Sequence, residues 1–146
     1  MSKKLDERYL IVLVGLNPKD IKSLPKNILA IPRTSDIREL AVLYTRAEAV
    51  LSLSKAETFG LTLVEGQACG TPSIGYNATA IKEIITDKTG LKVEPGNIDN
   101  VVNAVHRITQ EKLFLPEICR QQVVENFNQD IQFSKYIDIY EKILNN

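Results

Sequence analysis

Glu65 is the residue whose surroundings most demand a chemical explanation. At helical spacing its neighbours are Leu61 and Thr62 one turn back and Ala68 and Cys69 one turn on, a mostly apolar setting for a carboxylate. Burying an unpaired charge is costly, so such a group must reach solvent, pair with a cation or accept hydrogen bonds from a ligand. No Lys or Arg stands three or four positions away to pair with it. A carboxylate one turn inside a helix N-terminus can accept bonds from both of two vicinal hydroxyls. Acidic residues recognise ribose in this way in nucleotide-binding α/β folds. Spacing alone leaves equally open a solvated glutamate that merely stabilises the start of its helix.

The stretch leading to Glu65 is Ser54-Lys55-Ala56-Glu57-Thr58-Phe59-Gly60. It follows an apolar run and feeds a helix expected to begin near Leu61. The first N–H groups of a helix have no partner inside it, and the dipole adds about 0.3–1 kcal/mol for an anion placed there. Gly60 would let the backbone approach a ligand closely, because no Cβ stands in the way. The same stretch also reads as an ordinary connection between strand and helix, and Glu57 as a solvated loop glutamate.

The elements that would position these residues alternate. Tyr9 to Gly15 (YLIVLVG) is short, continuous and β-branched, the pattern of a strand buried on both faces of a parallel sheet. A short helical stretch runs from Asn17-Pro18 to about Leu24, and a second strand covers Ile28 to Ile31. Ser35 is expected to cap a helix from Asp36 to about Glu48, with Ile37, Leu40, Ala41 and Tyr44 on one face. Further strands fall at Ala49–Leu53, Pro72–Tyr76 and Gly90–Val93, separated by a helix from Leu61 to Cys69 and a short one from Thr79 to Ile85. Gly70 and Pro72 suit the end of the former helix. From Ile98 onward only helices are expected: Ile98–Gln110, Leu115–Asn128 and Ile131–Leu144. Right-handed crossovers would build a doubly wound α/β sheet with helices on both faces, and in such sheets ligands bind beyond the carboxyl ends of the strands. There is no internal repeat. The charged opening, Met1 to Arg8, resembles the end of a helix, so the chain is expected to begin inside its own domain.

Length and composition narrow the classes. A chain of 146 residues holds one domain, and 44 % hydrophobic with 25 % charged residues fits a globular protein. Eighteen basic residues balance eighteen acidic ones, leaving no field to gather nucleic acid or anionic lipid. Cys69 and Cys119 cannot form a disulfide framework, and a reduced, cytoplasmic setting is the plain reading. The apolar run near the start is too short for a signal peptide or for a span of about twenty apolar residues. His106 reads as a helix-surface residue, Tyr136 and Tyr140 as a packing pair, and Asn77-Ala78-Thr79 as an idle glycan acceptor motif.

The stretch from Ser54 to Pro72 (SKAETFGLTLVEGQACGTP) resembles the signature of retaining family 4 glycosyltransferases, in which two glutamates separated by seven residues flank a Phe-Gly-Leu turn and a small-residue helix ends in Gly-Thr-Pro. Ile37–Ala47, Ala80–Glu83, Thr89–Gly96 and the helix around Tyr136–Tyr140 agree with it, so the resemblance spans about residues 9 to 144. It implies the Rossmann-like C-terminal half of a GT-B fold with extra C-terminal helices. The function it implies is binding a UDP- or GDP-sugar for hexosyl transfer to a polysaccharide, lipid-linked or other hydroxyl acceptor. In these terms Glu65 binds the ribose hydroxyls and Glu57 faces the transferred sugar at the reaction centre. Thr58 belongs to the same donor-binding turn, and the N–H groups of Phe59, Gly60, Leu61 and Thr62 contact sugar hydroxyls and diphosphate. No metal and no other cofactor is implied.

Three departures from the family pattern accompany the match. The Arg and Lys that neutralise the diphosphate belong to a strand and loop ahead of Met1. The N-terminal acceptor domain, through which any membrane contact would be made, is a missing partner. The family's glycine pair after the fourth strand is replaced by Asn77-Ala78-Thr79-Ala80. The chain alone is therefore expected to bind donor without turnover, in the cytoplasm, with its parent at the inner face of the membrane. Rival readings are a non-catalytic α/β interaction domain and a GT-B nucleotide-sugar epimerase or phosphorylase. The Phe-Gly turn between the glutamates disfavours the latter two, and no Gly-x-Gly-x-x-Gly supports a dehydrogenase.

Overall fold

The computed structural model describes residues 1–21 and 24–145. After a 3₁₀ turn at Ser2–Lys4 come β1 (Ile11–Val14), α1 (Pro18–Ile21), β2 (Ile28–Ile31), α2 (Ile37–Arg46), β3 (Val50–Ser52), α3 (Leu61–Ala68), β4 (Ser73–Tyr76), α4 (Ile81–Ile84) and β5 (Gly90–Val93). Three helices follow: α5 (Ile98–Glu111), α6 (Pro116–Phe127) and α7 (Gln129–Leu144). Part of the helical stretch expected up to Leu24 lies outside the described residues.

Every strand pair is parallel, as alternating strands and helices require. The pairing forms two ladders, β1-β2 and β3-β4-β5, so among the described residues β1, β2, β3 and β5 each keep one unpaired edge. Register places Val50 opposite Ser73 and Ser73 opposite Gly90. A Cβ at Gly90 would lie 2.0 Å from the Ser73 carbonyl oxygen, which is why glycine stands there.

Helices cover β4 on both faces. Ile74 and Tyr76, with Val93 of β5, pack under Val101, Ala104, Val105 and Ile108 of α5, a stripe at helical spacing. On the other face Val50 of β3 packs with Leu63, Val64, Ile81, Ile84 and Ile85 of the α3–α4 layer and with Val123 of α6. α6 starts at Pro116, closes over Gly70 and buries Cys119 completely.

Four local expectations change. The run Tyr9–Gly15 is covered on one face only: Ile11 and Tyr9 turn into the α5 core, while Leu10, Val12 and Val14 are 61 %, 40 % and 39 % exposed. The cause is the period of two along a strand whose second face carries no layer. Asp36, not Ser35, caps α2; its carboxylate accepts the Arg38 N–H at 2.8 Å, the geometry available only to the residue directly before the first helical one. His106 is half-buried, and its Nδ1 lies 2.8 Å from the Tyr9 hydroxyl, so it pins the chain before β1 onto α5. On α7 no residue is buried, and Tyr136 and Tyr140 do not pack into the core.

Candidate functional site

The site forms where β3 ends. The loop after Ser52 begins with a tight turn in which the Ser54 hydroxyl donates to the Ala56 carbonyl at 2.8 Å. At Glu57 it meets the loop that follows β4. The Glu57 N–H donates to the Thr79 hydroxyl at 2.9 Å, and the Ala80 N–H donates to the Glu57 carbonyl at 3.4 Å. β3 and β4 are parallel neighbours, so both loops leave the same edge of the sheet, and these two bonds fix them to each other.

Gly60 turns the loop into α3. It is buried, with φ +85°, and a Cβ there would sit 2.7 Å from Ile84 Cδ1 and 3.4 Å from Glu57 Cγ. A left-handed backbone and the absence of room both select glycine. Its carbonyl accepts the N–H groups of Leu63 and Val64 at 3.0 and 3.3 Å. Among the described residues, the N–H groups of Phe59, Gly60, Leu61 and Thr62 find no protein acceptor. Thr58, Phe59, Leu61 and Thr62 are exposed and Gly60 is buried between them. The Phe59 ring packs edge-on against Phe127 at the end of α6, centroids 5.9 Å apart, which steadies the turn from the side.

Glu65 follows one turn inside α3, half-buried between Val64 and Gly66, which are both buried. No lysine or arginine among the described residues pairs with it or with Glu57. Its partner is instead a neutral donor: the Tyr44 hydroxyl of α2 donates to Glu65 Oε2 at 2.9 Å. Burial raises the Tyr44 phenol well above the usual tyrosine range; the hydrogen bond to Glu65 and its charge add to the rise, and the Thr62 hydroxyl works against it. The phenol therefore stays a hydrogen-bond donor, and among the described residues Glu65 Oε1 has no protein partner.

All the residues marked in the sequence, Glu57, Thr58, Phe59, Gly60, Leu61, Thr62 and Glu65, thus lie on one short path from the β3 loop into α3. Two residues that sequence reasoning passed over join them. Tyr44 was visible only as one of an apolar face on α2, and Thr79 only in an idle motif, at a helix start and among the residues that replace the family's glycine pair, with no contact to Glu57 indicated. Neither contact had a signal in the sequence, since the partners are 21 and 22 positions apart. Among the described residues, no three His, Cys, Asp or Glu side chains come together as metal ligands do. Two shallow concavities lie elsewhere, one on α7 beside Asp138 and Lys142 and one between β5 and α5 beside Lys92 and Arg107. Neither is lined by Glu57 or Glu65.

Chemically, the arrangement offers N–H donors for an anion, a carboxylate for hydroxyls and a second acid beside the Gly60 turn. A family model described as "Glycosyl transferases group 1" matches residues 1–129. N-acetyl-alpha-D-glucosaminyl L-malate synthase of Bacillus anthracis is 32 % identical over 146 aligned positions, covering 92 % of this chain and 38 % of its own length. The UDP-Gal:alpha-D-GlcNAc-diphosphoundecaprenol alpha-1,3-galactosyltransferase of Escherichia coli is 27 % identical over 146 positions, covering 92 % of this chain and 37 % of its own. Among solved structures, sucrose-phosphate synthase from Thermosynechococcus elongatus superposes with a TM-score of 0.78 at 26 % identity, over 91 % of this chain and 38 % of that one. The chain spans about two fifths of the length of these proteins.

Proposed function

Because the chain belongs to the group 1 glycosyl transferases, we propose that it is the nucleotide-sugar donor half of a retaining hexosyltransferase. Its fold is the Rossmann-like half of a GT-B glycosyltransferase. The observation that carries the reading is Glu65: a half-buried carboxylate without a cation, held on one oxygen only and standing one turn from four unpartnered N–H groups. A nucleoside diphosphate satisfies both needs at once, ribose hydroxyls at the acid and phosphate oxygens at the amides.

In this reading Glu65 holds the ribose. The N–H groups of Phe59, Gly60, Leu61 and Thr62 hold the diphosphate and the sugar hydroxyls, and Thr58 lines the turn beside them. Glu57 faces the transferred sugar. Catalysis consists of positioning and of stabilising the charge that grows on the departing diphosphate; the helix-end amides supply part of that field without reorganising. No metal or cofactor is required by this scheme. The relatives support both donors and several acceptors: one name specifies UDP-Gal and a diphosphoundecaprenol-linked sugar, another GDP-mannose, a third L-malate, so the donor is a UDP- or GDP-sugar and the acceptor a polysaccharide, lipid-linked or other hydroxyl.

Residues 1–146 act as one domain that works with an acceptor domain supplying the other wall of the cleft. The separation of the strands into two parallel ladders with unpaired edges supports a further parallel strand that joins them, which would complete the sheet and bring the cations that the diphosphate needs. By itself the chain binds donor and does not turn it over. The location is cytoplasmic, the parent enzyme resting against the membrane through its other half. No helix of the described residues is long and apolar enough to cross a membrane, and both cysteines are free thiols.

Calorimetric titration of the chain with UDP and GDP tests the reading. Binding of one of them, weakened about tenfold or more by Glu65→Ala, is the expected result. Absence of heat with either nucleotide would favour a non-catalytic interaction domain, and multiple-turnover sugar transfer by the chain alone would refute its dependence on a second half.

A further inference from the structure

We propose that Tyr44 is a positioning residue for donor recognition, holding one oxygen of Glu65 so that the other is aimed at the ribose before the nucleotide arrives. The inference rests on the reading of Glu65 as the ribose ligand. The Tyr44 hydroxyl donates to Glu65 Oε2 at 2.9 Å across the α2–α3 contact. The other end of Tyr44 is fixed as well: its carbonyl accepts the hydroxyl of the buried Thr71 at 2.6 Å, in the turn that closes α3. One residue of α2 is thereby tied to α3 at two places, the second turn through its side chain and the C-terminal turn through its backbone.

The consequence is conformational. A glutamate on an open helix face samples several rotamers, and ordering it on binding detracts from affinity. A glutamate already held by a phenol has lost that freedom in the folded chain. The choice of donor matters too. An arginine or lysine in place of the phenol would occupy the carboxylate and compensate its charge, whereas a neutral hydroxyl brings no counter-charge and occupies only Oε2. The phenol oxygen keeps lone pairs of its own, so Tyr44 and Glu65 together present an acceptor edge suited to the two neighbouring hydroxyls of a ribonucleotide. The site selects ribose over its dideoxy form, and Tyr44 is part of the reason.

The test uses the whole chain with UDP, GDP and their 2′,3′-dideoxy analogues as probes. Tyr44→Phe should weaken binding of the preferred ribonucleotide about tenfold and change binding of the dideoxy analogue less than about twofold. Adding Tyr44→Phe to Glu65→Ala should bring no further loss. Equal losses on both probes, or an unchanged ribonucleotide affinity, would overturn the inference. If Tyr44→Phe does not fold, Thr71→Val releases the backbone anchor and should reduce the ribose preference in the same selective way; unchanged preference there would count against it. A Glu65→Ala variant that binds like the unaltered chain overturns the ribose assignment itself. A loss in Glu65→Ala without one in Tyr44→Phe overturns only the role of Tyr44.

Discussion

Thr79 accepts the Glu57 N–H at 2.9 Å while its own backbone stands at φ 43°, in the left-handed region where a β-branched residue is least at home. Glycine would relax the backbone, whereas threonine accepts the strain and in return ties the loop after β4 to the loop that carries Glu57.

The two effects can be separated. Thr79→Val keeps the strain and loses the bond, and should lower stability by about 1 kcal/mol. Thr79→Gly loses the bond but relieves a backbone cost of about 1–2 kcal/mol, and should leave stability nearly unchanged. Urea denaturation of the pair measures the difference; a glycine variant less stable than the valine variant would contradict the account.

Gly60 and Gly96 share a left-handed backbone, at φ +85° and +83°, but not their surroundings. At Gly96 an added Cβ meets nothing within 4 Å, whereas at Gly60 it meets the buried Ile84 side chain. Gly96→Ala should therefore cost about 1–2 kcal/mol, the backbone term alone. Gly60→Ala should cost more and, on the proposed role of this turn, also weaken nucleotide binding, since it displaces the N–H groups assigned to the diphosphate. Thermal melting and calorimetry read the two consequences separately.

The glutamates should differ by ligand. Glu65→Gln is expected to weaken the nucleoside diphosphate and the nucleotide-sugar alike, because ribose is common to both. Glu57→Gln should leave UDP binding within about twofold and weaken the UDP-sugar selectively. A panel of UDP-glucose, UDP-galactose and UDP-N-acetylglucosamine supplies the sugars, and equal effects of Glu57→Gln on UDP and on every sugar would remove the assigned role.

Alkali should loosen the fold through Cys119. Burial pushes its thiol from 9.0 up to about 11. The unfolded chain would release that proton near pH 9 while the folded one retains it, so the stabilisation is complete below pH 9 and is lost as pH rises through about 11. The raised Tyr44 phenol acts in the same direction. Urea midpoints measured between pH 7.5 and 10.5 should fall, and Cys119→Ala should reduce the slope. At neutral pH a thiol reagent should modify the half-buried Cys69 well before the completely buried Cys119.

The sequence by itself determined what short-range physics can encode. Continuous β-branched runs, the Gly60 and Gly70 breaks and the stripe on α5 located the elements, and the path from Glu57 to Glu65 is one stretch of chain whose order of residue types marked the candidate site. Its reach ended where covalent neighbourhood ends. Whether both faces of β1 are covered depends on which layers pack around it, and Val12 and Val14 proved half open although the run reads as core. The tertiary structure alone decided which group satisfies Glu65. The acid has no cation at helical spacing, and its partner is a phenol on another helix, 21 positions back, brought into reach by packing of α2 on α3. In the same way only the shared edge of β3 and β4 brings Thr79 to Glu57. Hydrogen bonds of this kind act over a few ångströms in space, and a chain fixes such distances only after it has folded.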